Sequence, residues 1–460
     1  MKFLDDNLLL DSELAQELYS AARELPIVDY HSHLSPREIA EDKRFFNLTQ
    51  LWLSGDHYKW RLMRNCGVPE RLITGDTPDR EKFMAFSSVL PLCIGNPIYI
   101  WCHLELKTYF GITRPLNVDT AAEIYAQTQR MMKERPYTAQ NFIRNSRVEL
   151  LCTTDDPLDD LAFHRALAEN PALGFQVRPT YRPDKILHIE LPAFVSYAQT
   201  LTDKNEPSLS EIKEALTARL DDFRSSGCFV TDHALDRFIY KEKSEGQISE
   251  ILAAALAGKS LSEEDAEAWQ THILLYLAEE YAKRDMAMQL HFDCLRNNNR
   301  AMYEALGPDT GFDSANASHA PLKLVRFLDA LAARDSLPKI IVYSLDPNAD
   351  KLLNTVIHCY QGKSRGRLQH GSAWWFNDTK GGMRAHLATL SEYGVLGNFI
   401  GMLTDSRSFT SYVRHDYFRR ILCNHLAECV RAGEYPEDKR ALLALVSGIC
   451  HDNAKEYFGI

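Results

Sequence analysis

The stretch Ile27-Val28-Asp29-Tyr30-His31-Ser32-His33-Leu34 decides both the fold and the site that we predict. Its β-branched start and the proline at position 36 predict a buried strand that ends in a turn. Residues two apart along a strand lie on one face, so His31 and His33 point the same way at the strand's carboxyl end. Two converging imidazoles supply the first two ligands that a zinc ion or a similar cation needs.

Taken alone, the His-x-His pair is a weak signal. The chain has 16 histidines among 460 residues, so chance produces roughly half such a pair in a chain of this composition. Its position at the end of an apolar strand favours metal binding over coincidence.

Length and composition describe an ordinary globular protein. A chain of 460 residues can form one large barrel with insertions, or two or three domains. Apolar residues make up 45% of it and charged residues 25%, which allows a sizeable core. The formal net charge of −11 argues against general affinity for nucleic acid or for an anionic membrane. An anionic small substrate therefore needs a local cationic pocket.

No segment predicts export or a membrane span. The first eleven residues are acidic, and their apolar run at 8–10 is far too short for a signal peptide. No apolar run approaches the roughly 18 residues of a transmembrane helix. The ten cysteines are scattered without a Cys-x-x-Cys pair, which is typical of reduced thiols. We therefore expect a cytoplasmic protein.

Short apolar runs that end in polar residues recur along the chain, with helical periodicity between most of them. The eight predicted strands are 27–30, 148–153, 174–178, 228–231, 287–291, 340–343, 368–371 and 399–403. Strands and helices that alternate in this number predict an α/β fold, a (β/α)8 TIM-type barrel. A doubly wound open sheet is the alternative, although no glycine-rich phosphate loop follows the first strand.

The spacing of the strands predicts large helical insertions, chiefly between strands one and two. About 115 residues separate these two strands, far more than one βα unit needs. We predict an N-terminal segment with strand one at 1–34, an aromatic-rich helical insertion or lid at 35–145, and the rest of the barrel at 146–460. Further helical insertions are predicted near 191–227 and 235–284.

The end of the predicted eighth strand supplies a carboxylate and a cation two residues apart, Asp405 and Arg407. Asp405 can complete a His₂Asp metal site with one position open for substrate, which is the catalytic arrangement. The alternative is an Asp–Arg pair that caps the following helix, and the residues alone leave both interpretations open.

Taken together, these motifs resemble the amidohydrolase superfamily of metal-dependent barrels and, more narrowly, the uronate (glucuronate) isomerase family over nearly the whole chain. The stretches that carry the resemblance are 29–33, 55–61, 75–76, 94–97, 153–157, 182–184, 232–235, 295–299, 307–313, 374–378 and 403–408. So many long matches in the same order are highly specific.

The resemblance implies a metal-dependent aldose–ketose isomerase of hexuronate catabolism, a part of carbohydrate metabolism. Such an enzyme converts D-glucuronate to D-fructuronate and D-galacturonate to D-tagaturonate. It further implies that His31, His33 and Asp405 hold one divalent metal, usually zinc. The residues implied to contact the sugar acid are His57, Tyr58, Arg182 and Arg407.

The chemistry gives each of these residues a reason. Moving a proton from C2 to C1 through an enediolate requires a base, a stabiliser of oxyanion charge and an anchor for the carboxylate. Asp405 is the best candidate for the proton shuttle, and Arg182 or Arg407 can form a fork onto the carboxylate. Tyr58 and His57, brought in by the insertion, can donate hydrogen bonds and close the site to water.

Four further residues keep two interpretations each. Trp374 can form a wall against the sugar face, but core packing is the usual role of tryptophan. His291, at the end of strand five, is either a third histidine ligand or a buried histidine that supports the ligands. Asp232 and His233, at the end of strand four, are either supporting or substrate-binding groups.

The alternative function is a mononuclear metal-dependent hydrolase of the same superfamily, in which Asp405 activates a bound water. A two-metal hydrolase is disfavoured, because strand four offers no lysine for a bridging carbamate and strand six no histidine. A binding protein without catalysis has little use for a metal with an open position. The expected partner is a small hexuronate, without nucleic acid or membrane, and a homo-oligomer stays open.

Overall fold

Parallel strands alternate with helices through most of the chain, in a computed structural model that describes residues 3–317, 320–362 and 364–460. The predicted α/β class is therefore confirmed. Residues 1 and 2 of the predicted N-terminal segment lie outside the described part. Within the described ranges, no helix is both long and apolar enough to cross a membrane.

The strands are β1 (Ile27–Asp29), β2 (Val148–Cys152), β3 (Gln176–Arg178), β4 (Val230–Ala234), β5 (Ala287–Phe292), β6 (Cys294–Leu295), β7 (Ser314–Ala315), β8 (Lys339–Ser344) and β9 (Leu368–His370). The helices up to β2 are α1 (Glu13–Ala22), α2 (Pro36–Ala40), α3 (Leu48–Trp52), α4 (His57–Asn65), α5 (Asp79–Val89), α6 (Pro97–Phe110), α7 (Ala121–Glu134) and α8 (Ala139–Asn145).

The helices from β2 to β8 are α9 (Ala162–Ala168), α10 (Asp184–Leu187), α11 (Phe194–Thr202), α12 (Leu209–Ser225), α13 (Glu245–Leu256), α14 (Glu263–Lys283), α15 (Arg300–Leu306) and α16 (Ala320–Ala333). The last helices are α17 (Asp350–His358), α18 (Lys380–Tyr393), α19 (Val413–Arg431), α20 (Lys439–Ser447) and α21 (Asn453–Phe458).

The strands form two parallel sheets and one small antiparallel pair. The sheet orders are β1-β2-β3 and β4-β5-β8-β9, and β6 pairs with β7. Tyr181, just after β3, makes parallel bridges to both Asp155 and Thr231, so it connects the end of one sheet to the start of the other. The seven parallel strands among the described residues therefore run in one direction, with their carboxyl ends on one side.

The predicted eighth strand, 399–403, has no ladder in the structure, and side chains connect it to β1 instead. The Asp29 carboxylate accepts hydrogen bonds from the Thr404 backbone N–H at 2.8 Å and from its hydroxyl at 2.6 Å. The Tyr30 hydroxyl donates to the Gly401 carbonyl at 2.8 Å. Gly401 has a φ of +83°, and a Cβ there would lie 2.1 Å from the Ile449 carbonyl oxygen, so only glycine fits.

Inward-facing residues of both sheets and of the 399–403 segment share one buried cluster. Its strand members include Val28, Leu150, Val230, Ile341 and Ile400. Because these residues pack together in the middle, the polar residues that follow each strand are brought to a common rim.

The region 35–145 is helical, and most of its aromatic side chains lie in the core. Trp52, Phe83 and Phe86 are fully buried, and Trp101 is nearly so. Most of these helices begin at side-chain caps: Asn47, for example, accepts from the backbone N–H of Gln50. The packing holds α4 firmly beside the strand ends.

Helices also fill the stretches predicted as later insertions. Ser208 and Ser244 form capping boxes at the starts of α12 and α13. Ser262 caps α14, within the segment 260–264 that has the sequence of a helix start. Trp269 on α14 is buried, and its indole N–H donates to the Ile186 carbonyl at 2.7 Å.

Candidate functional site

The histidine pair at the end of β1 meets the loop after 399–403. Asp405 Oδ1 lies 3.2 Å from Nε2 of His31 and 3.1 Å from Nε2 of His33. The backbones are joined as well, since the Asp405 N–H donates to the His31 carbonyl at 3.1 Å. One carboxylate oxygen thus faces both imidazoles that the sequence singled out.

Asp405 is held in place from several directions. Its φ of +45° is in the left-handed region, which aspartate tolerates better than most residues. Its other oxygen, Oδ2, accepts a hydrogen bond from the Trp374 indole N–H at 2.9 Å. Thr404 beside it is held by Asp29, as described above. The carboxylate is therefore oriented by β1 and by the Trp374 segment together.

A second set of ligand-type side chains adjoins the first. The buried Asp232 accepts from His291 Nδ1 at 2.7 Å and lies 3.9 Å from His31 Nδ1. Arg182 approaches the same carboxylate, with Nη1 3.4 Å from Oδ2. The His291 ring stacks on Tyr343 at a centroid distance of 4.2 Å and 3° between planes.

The donor set fits a bound divalent cation. Ligand atoms of His31, His33 and Asp405 all lie within 4.8 Å of one another, as do those of His31, Asp232 and His291. Three buried atoms in this group have no hydrogen-bond partner among the described residues, namely His31 Nδ1, Asp232 Oδ2 and His291 Nε2. Burying such atoms without partners is costly, and a cation removes that cost. These side chains could therefore hold a metal ion at the strand ends.

The charges of the ligands follow from their neighbours. Burial lowers the pKa of His33 to about 4, so its imidazole stays neutral and can ligate. Burial opposes charge on Asp405, but hydrogen bonds from His31 and His33 outweigh it and hold the pKa of Asp405 well below its usual range. Burial likewise opposes charge on Asp232, but His291, Arg182 and His31 keep its pKa well below the ordinary value.

Two predicted carboxylate anchors lie at this rim and already have partners. Arg182 Nε donates to Asp184 Oδ2 at 2.7 Å, in addition to its approach to Asp232. Arg407 Nη2 donates to Asp309 Oδ2 at 2.9 Å, and its side chain is 37% exposed. Arg182 is therefore the fixed cation of the pair, and Arg407 is the accessible one.

His57 and Tyr58 reach the site from the first turn of α4. Asp56 caps this helix by accepting from the backbone N–H groups of Tyr58 at 3.0 Å and Lys59 at 3.2 Å. The two rings stack at 5.1 Å, and the edge of Trp375 meets His57 at 5.3 Å. The Tyr58 hydroxyl and His57 Nδ1 are buried without a hydrogen-bond partner among the described residues, so both can serve a ligand.

Trp374 is buried beside the candidate metal ligands. It is 6% exposed and packs edge-on against His291 at 4.7 Å, while its N–H holds Asp405. His103 is a structural histidine, because its two ring nitrogens pair with backbone atoms of Tyr99 and Leu116.

Some residues around the site were not singled out from the sequence. Asp309 and Asp378 occurred only inside the motif stretches, while Tyr343 and Arg414 were not considered. Arg414 lies too far along the chain for any local pattern to connect it with Tyr58. The surroundings of these residues form only when the chain folds.

The candidate metal ligands and substrate-binding groups line a cavity of about 1010 Å³. Its lining includes every residue predicted to bind metal or substrate, namely His31, His33, His57, Tyr58, Arg182, His291, Trp374, Asp405 and Arg407. The predicted residues thus converge on one space large enough for a sugar acid.

Comparisons with known proteins agree on one family. A family model described as glucuronate isomerase matches residues 1–458. A uronate isomerase from Lachnospira eligens is 46% identical over 463 residues, covering 100% of this chain and 99% of the relative. A crystal structure of uronate isomerase from Thermotoga maritima is 32% identical, with full coverage of both chains and a TM-score of 0.94. Glucuronate isomerase from Caulobacter crescentus, 24% identical over 99% of this chain and 97% of its own, shares the fold with a TM-score of 0.92.

Proposed function

Because the chain belongs to the glucuronate isomerase family, we infer that it converts D-glucuronate to D-fructuronate and D-galacturonate to D-tagaturonate. It is an enzyme of hexuronate catabolism that interconverts aldoses and ketoses. The observation that carries the site assignment is the meeting of Asp405 Oδ1 with both imidazoles of the His-x-His pair, at 3.2 and 3.1 Å. The remaining groups that the isomerisation needs surround this point.

We propose that His31, His33 and Asp405 hold one divalent cation, and that this cation is zinc. Two imidazoles and one carboxylate are a ligand set that zinc favours, and they leave a position open for substrate. A bound cation of this kind polarises and orients substrate oxygens. We assign His291 a supporting role, because its ligand atoms group with those of His31 and Asp232 and not with those of His33 and Asp405.

In the proposed reaction, the hydrogen at C2 leaves as a proton and returns at C1 of the same sugar. Asp405 is ionised and faces the cavity, so its carboxylate takes the proton and gives it back. The unpartnered Tyr58 hydroxyl and His57 imidazole donate hydrogen bonds to the developing enediolate oxygens. His57 and Tyr58 also exclude water, because their stacked rings close one side of the cavity.

The arginines account for recognition of an acid rather than a neutral sugar. Arg182 and Arg407 provide guanidinium groups on the cavity wall, and either can bind a carboxylate through two N–H donors. Asp309 occupies Arg407 in the structure, so the substrate carboxylate replaces this aspartate as the partner of Arg407. Trp374 contributes an apolar edge beside the metal ligands.

We further propose that the strands close into a (β/α)8 barrel. Its parts are an N-terminal segment with strand one at 1–34, a helical insertion at 35–145 and the rest of the barrel at 146–460. Support comes from the two bridges of Tyr181 between the sheets and from the Asp29 link between β1 and the 399–403 segment. A barrel places the active site at the carboxyl ends of its strands, where these residues lie. The ten free cysteines are compatible with the proposed cytoplasmic location.

The test is direct. Purified protein loaded with zinc is given D-glucuronate, and ketose formation is followed, with an amide and a lactone as substrates of the alternative hydrolase. We expect ketose from the uronate and no hydrolysis. Asp405→Asn keeps an oxygen ligand but removes the base, so turnover should fall by about 10²-fold or more. Hydrolysis without ketose formation would overturn the proposed function.

A further inference from the structure

One buried cation in the lining of the cavity has no part in the chemistry described so far. Arg414 is 3% exposed and stands in the first turn of α19, nine residues after Asp405. Removing a guanidinium from water is costly unless protein groups replace its hydration. The contacts of Arg414 therefore indicate which parts of the fold depend on it.

Those contacts join two elements of the site. Arg414 Nη1 donates to the Thr404 carbonyl at 2.9 Å, directly before Asp405. The guanidinium carbon also lies 5.3 Å from the centre of the Tyr58 ring and 4.3 Å from the centre of the Trp101 ring. Both distances are within the range of cation–π attraction. One side chain thus contacts the backbone next to Asp405 and the face of Tyr58.

The nearby carboxyl of Asp378 is a weaker partner. Its Oδ2 lies 3.6 Å from Arg414 Nη1, and its Oδ1 is buried without a hydrogen-bond partner among the described residues. Burial raises the pKa of Asp378 to about 7, so this carboxyl is only partly charged at neutral pH. The carbonyl and the two rings therefore provide the principal contacts of Arg414.

The Tyr58 ring depends on the contact with Arg414, because no hydrogen bond of the Tyr58 hydroxyl holds the side chain in place. The hydroxyl is buried without a hydrogen-bond partner among the residues described, so contacts of the ring must fix the position of the hydroxyl oxygen. His57 stacks with the same ring at 5.1 Å, and Arg414 supplies the contact with a charge. A planar guanidinium can lie flat on a ring, whereas a lysine ammonium cannot.

We propose that Arg414 is a positioning residue of the site, which fixes the Tyr58 ring and the Thr404–Asp405 peptide relative to each other. This inference rests on the proposed function, because Tyr58 and Asp405 must act on the same substrate for their mutual placement to matter. A misplacement of about 1 Å between such groups costs on the order of 10²-fold in rate.

The test compares Arg414→Lys with Arg419→Lys on the same helix. Arg419 is 4% exposed and donates to the carbonyls of Leu25 at 2.9 Å and Pro26 at 2.7 Å, with no ring partner among the described residues. We expect Arg414→Lys to lower kcat about 10- to 100-fold with KM within about 3-fold of wild type. Arg419→Lys should keep kcat within about 3-fold. Equal effects of the two substitutions would overturn the inference.

A double-mutant cycle separates positioning from general damage. In a Tyr58→Phe background the hydroxyl that Arg414 positions is absent, so Arg414→Lys should lower kcat by less than about 3-fold more. An undiminished loss in that background refutes the role. If circular dichroism shows that Arg414→Lys is unfolded, Trp101→Phe weakens the same cation site instead. Trp101→Phe should lower kcat about 3- to 10-fold in the wild-type background and leave it unchanged in the Tyr58→Phe background. A kcat that Trp101→Phe does not change in the wild-type background contradicts the inference.

Failure of the proposed function gives a different result. A folded wild-type enzyme that forms no ketose from D-glucuronate refutes the activity itself. The contact is then judged by melting temperature, where Arg414→Lys should cost less in a Tyr58→Leu background than in wild type. Additive shifts in melting temperature would show that Arg414 does not hold the Tyr58 ring.

Discussion

At the scale of single residues, Asp405 shows how the site is prepared before a ligand arrives. Its two oxygens face His31, His33 and the Trp374 N–H, all between 2.9 and 3.2 Å. Each of these donors is itself buried or half-buried, so the carboxylate has little freedom to rotate. A preorganised carboxylate loses little entropy when it binds a cation or takes a proton.

The two ligand sets make different predictions for metal content. His33→Ala removes a ligand found only in the set with Asp405, so the folded variant should carry well under one zinc per chain. His291→Ala removes a ligand found only in the set with Asp232 and should keep most of the zinc. Elemental analysis after loading with zinc measures both, with His188→Ala as a control from the same cavity that pairs with Glu190 at 3.1 Å. Full zinc in His33→Ala would exclude the assignment.

The arginines predict how the enzyme separates a uronate from a neutral sugar. Removing one partner of a partly desolvated charged contact costs about 2–5 kcal/mol, or roughly 30- to 4,000-fold in kcat/KM. Arg182→Met and Arg407→Met should each lower kcat/KM on glucuronate by such a factor, and lysine should restore only part of it. Wild-type enzyme should barely convert glucose. Similar kcat/KM values for the two sugars would show that neither arginine binds the carboxylate.

At the scale of elements, the link between β1 and the 399–403 segment is made by a side chain instead of a ladder. Asp29 offers both carboxylate oxygens to Thr404, 375 residues away in sequence. This contact also fixes the start of the loop that carries Asp405. Asp29 therefore fixes the positions of the candidate metal ligands on the two segments relative to each other, although Asp29 itself does not line the cavity.

Asp29→Asn should weaken the link between β1 and the 399–403 segment without creating a cavity in the core. The amide keeps one acceptor oxygen and loses the other, which costs about 1–3 kcal/mol of unfolding free energy. Zinc affinity should fall about 10- to 100-fold, as is usual when a partner that orients a metal ligand is lost. Thr231→Val is the control, because it removes a buried hydroxyl that bonds across β4 and β5 at 3.3 Å. Thr231→Val should change stability but not zinc affinity. Equal zinc affinities of Asp29→Asn and Thr231→Val would contradict the role of Asp29.

Sequence patterns predicted those features that are local. The alternation in 27–34 places His31 and His33 at one strand end, and the apolar runs mark the seven parallel strands to within a few residues. The absence of a ladder at 399–403 could not be predicted, because it depends on Asp29 and on the close approach of Ile449 to Gly401. The Arg414–Tyr58 contact was missed for the same reason, since it joins elements more than 350 residues apart.

At the scale of the whole molecule, buried titratable groups that the proposed chemistry does not use have opposite effects on stability as the pH falls. Burial lowers the pKa values of His164, His233 and His386 to about 4. Burial raises the pKa values of Asp155 and Asp350 to about 7. On acidification below about 6.5, the histidines favour the unfolded chain, which takes up their protons, while the carboxyls favour the folded one. Between these limits the two effects largely offset each other.

Replacing the Asp350 carboxyl should change how the stability of the protein depends on pH. Burial raises the pKa of Asp350 in the folded chain to about 7, from the ordinary value of 3.8 for an exposed aspartate. The folded chain therefore holds a proton between these pH values that the unfolded chain has lost, so this group's stabilising contribution falls as pH rises through that window. Asp350→Asn lacks the effect, and its stability relative to wild type should improve by on the order of 3 kcal/mol between pH 4 and pH 8. Urea unfolding at both pH values measures the gap, with the exposed Asp335→Asn as the surface control. A gap for Asp350→Asn that stays constant with pH would show that this carboxyl is ionised in the folded protein throughout.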